Sequence, residues 1–162
     1  MKSVLSIILL LPAFLSLQGQ ITFKVEDDIY YPDFSVKIGE DVYYPDITIK
    51  IGTEVSSADF SIGITSNRAQ ADFIITESNY ADYSIKAGSD IYYPDITIKA
   101  GNDVFFPDMT IKINKSGTVN YIIYTEKEFI SLRDIVIALL PAINYHSDFK
   151  HDALNELFED LD

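Results

Sequence analysis

The chain has 162 residues, 48% of them apolar, with no cysteine and a formal net charge of −13. That length and apolar content suffice for one domain with a sizeable core. The charge repels nucleic acid and anionic membranes and excludes both as partners, and the lack of cysteine excludes a disulfide framework and a lipid-anchored export signal.

Met1-Lys2 is a short positive start, Val4 to Leu17 is an apolar run, and small Gly19 closes it. The pattern predicts a secretory signal peptide over residues 1–19, too short to span a membrane. The mature chain would begin at Gln20 as a soluble exported protein, periplasmic or secreted.

From Gln20 a unit recurs, starting at Gln20, Asp33, Asp46, Asp59, Asp72, Asp82, Asp95 and Asp108, with steps of 13 residues and one of 10. A fixed short period is the mark of a repeat architecture. In Asp46-Ile47-Thr48-Ile49-Lys50-Ile51 the isoleucines alternate with polar residues, which predicts a half-buried strand. Gly39, Gly52, Gly88 and Gly101 follow the strands, where a turn with positive φ would favour glycine. A polar pair, an apolar residue, two aromatics and a proline complete the unit.

One unit cannot bury its own apolar face, whereas stacked units share a core. The expected fold is therefore an all-β repeat, 13-residue units wound into a compact, β-solenoid-like domain over residues 20–125, with a small α-helical cap over 126–162. The middle is degenerate: Ser56-Ser57 and Ala69-Gln70 stand at the aromatic positions, and the short step falls between Asp72 and Asp82. There the winding either meets a different neighbour or changes direction. In the tail, Ser131 with Asp134 three residues on predicts a helix start for Leu132 to Leu140. Asp152 opens a second helix with Leu154, Leu157, Phe158 and Leu161 on one face.

The segments Ser57-Ala58-Asp59-Phe60-Ser61-Ile62, Gln70-Ala71-Asp72-Phe73-Ile74-Ile75 and Tyr80-Ala81-Asp82-Tyr83-Ser84-Ile85 carry a resemblance. Over roughly Gln20 to Asn114 the chain resembles the septoil-knot domain family of bacterial repeat proteins. The resemblance implies a compact β-winding whose backbone is knotted with seven crossings, a feature sequence physics would not suggest. It implies no catalytic residues.

Three groups are candidates for chemistry. The first is the column of Asp33, Asp46, Asp59, Asp72, Asp82, Asp95 and Asp108. Directly stacked, these carboxylates would lie about 4.8 Å apart and repel by roughly 0.9 kcal/mol per pair. The plainer reading makes them structural anchors that accept backbone N–H bonds at each corner. Lys37, Lys50, Lys86, Lys99 and Lys112 could also offset the charge, and the alternative is a bound Ca²⁺. The acidic turns at Glu26-Asp27-Asp28, Glu40-Asp41, Asp90 and Asp103 read as solvated loops.

The second group is the aromatic pairs Tyr30-Tyr31, Tyr43-Tyr44, Tyr92-Tyr93 and Phe105-Phe106. The plainer reading closes both rings of a pair against the following proline. The alternative is an outward ladder, with Tyr30, Tyr31, Tyr43, Tyr44, Tyr92 and Tyr93 binding a glycan or a protein partner. The third group is His146 and His151, which read as surface residues, without the ligands for a zinc site or a triad.

Repetition favours an extended surface over a single reactive constellation, so an exported, non-enzymatic structural or binding module is the first functional expectation. The alternatives are a carboxylate-based glycoside hydrolase using Asp59, Asp72, Glu77 and Asp82, and a Ca²⁺-stabilised adhesion module.

Overall fold

A computed structural model describes residues 19–147 and 151–159. The signal peptide expected over 1–19 lies outside the described residues but for Gly19, and Leu161 of the tail lies outside them as well. Among the described residues nine strands form: β1 Ile21–Glu26, β2 Phe34–Gly39, β3 Ile47–Gly52, β4 Phe60–Thr65, β5 Phe73–Ile75, β6 Tyr83–Gly88, β7 Ile96–Gly101, β8 Met109–Ile113 and β9 Tyr121–Thr125. Three helices follow, α1 Leu132–Ala138, α2 Leu140–His146 and α3 Asp152–Leu157. The alternation is why these segments are strands. Phe34, Val36 and Ile38 are buried, while Ser35 and Lys37 between them are only half-buried.

Every pairing is parallel, and the strands close into a barrel in the order β1-β5-β9-β4-β8-β3-β7-β2-β6. No strand pairs with its neighbour in sequence. Each is laid two places further round than its predecessor, so the chain circles the barrel twice. Strands β6 to β9 of the second circuit fill the gaps left between β1 to β5 of the first. This closed, two-circuit barrel replaces the solenoid-like, knotted stack expected from the sequence. The irregular middle is where the first circuit ends beside β1 and the second begins; the winding does not change direction there.

Parallel neighbours ordinarily need a crossover of a dozen or more residues, yet here seven residues, 40–46, join β2 to β3. The register explains it. Ile38 pairs with Ile98, and Ile98 with Ile47, so β3 starts level with the end of β2 and the chain need not return along the barrel. The same stagger recurs from Val25 through Ile85 to Phe34. A stagger this large for nine strands inclines them steeply and widens the barrel.

The widened interior is filled by a helix. Residues 135–140 of α1 and the start of α2 are at most 5% exposed, and α1 lies against β1, β5, β6 and β7. A helix apolar all round must be enclosed. At the mouth where the strands end, Lys127 Nζ donates to the Val25 carbonyl at 2.7 Å and Arg133 to the Ala87 carbonyl at 3.1 Å. At the opposite mouth, His146 stacks on Phe60 and Phe158 meets Tyr83 edge-on. The tail expected to cap the winding therefore runs through it, and only α3 with the end of α2 covers a mouth. The capping box of Ser131 and Asp134 forms as the sequence indicates.

Candidate functional site

The Asp column sits at the foot of the seven strands β2 to β8. Asp33 Oδ2 accepts the Ser84 N–H at 2.7 Å and the Ser84 hydroxyl at 2.8 Å, while the Asp33 N–H donates to the Ser84 carbonyl at 2.8 Å. The same exchange links Asp46 with Thr97, Asp95 with Ser35 and Asp108 with Thr48. Asp82 accepts the Thr22 N–H and hydroxyl. Asp59 and Asp72 accept the N–H of Thr110 and Ile122. Each clamp joins a strand of one circuit to a strand of the other, with partners 50, 51 or 60 residues apart.

These bonds run to a neighbouring strand and not within the residue's own corner. They satisfy a strand-end N–H, and a charged acceptor makes them stronger than neutral bonds. The barrel's stagger also sets neighbouring carboxylates one strand across and two residues along, roughly 8 Å apart instead of 4.8 Å. Among the described residues the lysines four residues on form no ion pair with the column; His151 Nε2 lies 3.8 Å from Asp46. No group of three or more His, Asp or Glu side chains there could hold a metal ion.

Sequence reading missed an eighth clamp. Asn120 Oδ1 accepts the Ser61 N–H at 2.9 Å and its hydroxyl at 3.1 Å. Asn120 stands outside the 13-residue register, and its offset from the following Tyr-Ile-Ile strand was the available signal. The residues weighed for hydrolysis are spread out. Asp59, Asp72 and Asp82 hold three different strand pairs, with Asp72 roughly 12 Å from Asp82 and roughly 16 Å from Asp59 by strand spacing and register, and Asp59 and Asp82 farther apart still. A glycosidase pair needs about 5–9.5 Å. Glu77 donates its N–H to Glu126.

His146 is exposed and His151 half-buried, as expected of surface residues, but His146 is not without a partner. The Tyr121 hydroxyl lies 2.8 Å from His146 Nε2, and burial, with Tyr145 and Asp72 nearby, raises the Tyr121 pKa.

The connections between strands hold the unexpected feature. Tyr30, Tyr31, Tyr43, Tyr44, Tyr92, Tyr93, Phe105 and Phe106 are all 85–98% exposed. Neither ring of a pair closes against proline, and neither points inward. The apolar residue that anchors a connection precedes the pair: Val42, Ile91 and Val104 are buried, and Ile29 is half-buried. The backbone explains the splay. Tyr44, Tyr93 and Phe106 have φ of 51°, 53° and 50°, as does Ser57 at 57° in the degenerate copy. A bulky side chain in the left-handed region is a genuine outlier.

The glycines at the strand ends do not make this turn, since Gly117 alone among the described glycines has positive φ. At two of them the reason is close approach. A Cβ on Gly52 would lie 2.4 Å from Asn102 Oδ1, and one on Gly101 would lie 3.2 Å from Glu40 Cγ. Each connection passes over the end of the strand it skips. The β1–β2 connection crosses β6, β6–β7 crosses β2, β2–β3 crosses β7 and β7–β8 crosses β3. The four aromatic pairs therefore follow one another round the barrel as Tyr30-Tyr31, Tyr92-Tyr93, Tyr43-Tyr44 and Phe105-Phe106.

Outside the barrel, between the crossings, the strands present Ser, Thr and Lys, the reverse of the apolar outer band of a lipid-facing barrel. No helix among the described residues is long and apolar enough to cross a membrane. Compared with protein-family models, curated proteins and solved structures, the chain matches none.

Proposed function

We propose that the protein is a non-enzymatic binding module, exported from the cell that makes it, in which the plugged barrel is a rigid scaffold and the aromatic pairs are the working surface. The N-terminal sequence pattern supports export. The observation that carries the binding reading is the exposure of eight rings at one register of four connections, 85–98% each. They add nothing to the core, and three of them sit on strained backbone. Strain of this kind persists where the surroundings over-determine it and clusters at ligand-contacting sites. Eight rings at about 150 Å² each offer on the order of 1,000 Å² of aromatic surface in total, divided among the four connections.

The test is a glycan and peptide array probed with the full chain and with a variant carrying Tyr30→Ser, Tyr43→Ser, Tyr92→Ser and Phe105→Ser. Saturable binding that the variant loses is the expected result. A native chain that binds nothing, or a variant that binds as well, overturns the proposal.

A further inference from the structure

We propose that the aromatic arc takes a basic polypeptide segment, laid extended across the four connections. The inference rests on the reading of the rings as the working surface and adds the chemistry of the partner. Equivalent residues of successive connections lie one strand across and two residues along, roughly 8 Å apart, so the four pairs span roughly 24 Å. An extended chain covers that distance in about seven or eight residues.

Charge decides the occupant. Exposed carboxylates bracket every pair: Asp27 and Asp28 before Tyr30, Glu40 and Asp41 before Tyr43, Asp90 before Tyr92, and Asp103 before Phe105. Asp33, Asp46, Asp95 and Asp108 follow the prolines and are exposed too. The strand lysines are half-buried; Lys86 shares a surface cavity with Asp27, Asp90 and Tyr92, where the two carboxylates still outnumber it. The faces of the rings carry the negative end of their quadrupole, which attracts ammonium and guanidinium groups. Rings and acids together thus match alternating cationic and apolar groups on one chain. A second copy of this protein would bring a net −13 to the same surface and is repelled. A neutral glycan would stack on the rings and donate hydroxyls to the carboxylates, but it would leave their negative charge uncompensated.

The experiment measures binding of a labelled oligolysine of about ten residues to the full chain, beside oligoglutamate and a neutral glucan oligosaccharide. The variants are Tyr30→Leu, Tyr43→Leu, Tyr92→Leu and Phe105→Leu combined, which keep net charge and an apolar side chain but remove one ring of every pair. These positions have ordinary backbone, so folding is not strained. The expected result is saturable oligolysine binding that weakens about tenfold or more in the leucine variant and also falls as salt rises from about 0.05 to 0.5 M. Oligolysine affinity unchanged by loss of the rings reflects bulk charge alone and overturns the inference. Ring-dependent binding of the glucan in place of oligolysine also overturns it, while leaving the binding-module reading intact. Loss of ring-dependent binding to every probe removes both.

Discussion

Replacing Tyr44, Tyr93 and Phe106 together by asparagine is expected to stabilise the protein. All three residues hold φ near +50° and expose 97–98% of their surface. A left-handed backbone costs an ordinary side chain about 1–2 kcal/mol, and asparagine is among the few residues that adopt it readily. Because the rings make no burial contribution, each replacement relieves strain without losing packing, for a gain of about 0.5–1 kcal/mol per site. The sites are distinct enough for the gains to add within a few tenths, for a total of about 2 kcal/mol. For a domain of this size that raises the Tm by about 4–8 °C. The assay is thermal unfolding followed by circular dichroism, paired with the binding measurements above, in which the stabilised variant should bind worse. A triple variant that melts below the native protein would mean that the rings brace their prolines after all. The case for a surface kept for binding would then fail.

Other outcomes follow from the same geometry. Asp46→Ala strands the Thr97 N–H and hydroxyl and should cost about 1–3 kcal/mol in urea unfolding, whereas Asp46→Asn should cost under about 1 kcal/mol, because Asn120 already performs this role on Ser61; equal costs would show that the clamp geometry is incidental. A chain ending at Thr125 lacks the enclosed helix and should show no cooperative unfolding, and Ile137→Ala in the full chain should cost about 3 kcal/mol; a cooperatively folding barrel without residues beyond 125 would contradict the plug. Burial works against the charged form of Asp134, but hydrogen bonds from Lys127 and Ser131 outweigh it and hold the carboxyl below its usual pKa. The Thr76 hydroxyl, with help from the Glu77 N–H and Arg68 and against burial, does the same for Glu126. Groups depressed in the folded state contribute stability above the unfolded carboxylate pKa of about 4 and lose it as pH falls through their lowered values. Asp134→Asn should therefore destabilise by about 3 kcal/mol at neutral pH, with the difference from the native protein shrinking below about pH 4; a pH-independent difference would assign the effect to packing.

Some of this was legible from residues alone. The alternation in Ile47-Thr48-Ile49-Lys50-Ile51 fixed both the strand and its inward face, because side chains on a strand alternate with period two. Ser131 and Asp134 marked the start of α1, because the N-cap bonds are local. The Asp column was visible as a column, but its partners lie 50 to 60 residues away and no local pattern points to them. Gly52 and Gly101 were visible as glycines, yet their reason is a crossing chain and not a turn. The apolar run from Ile135 to Leu140 could not say whether it would lie on the barrel or inside it.

By itself, then, the sequence determined which segments are strands, which face of each is apolar, and that the units repeat, since these depend on periods shorter than a unit. Only the tertiary structure decided that the strands run in two interleaved circuits, that their stagger opens room for a helix, and that the aromatic pairs stand outside. Those outcomes depend on register between distant strands, a quantity that local spacing does not encode.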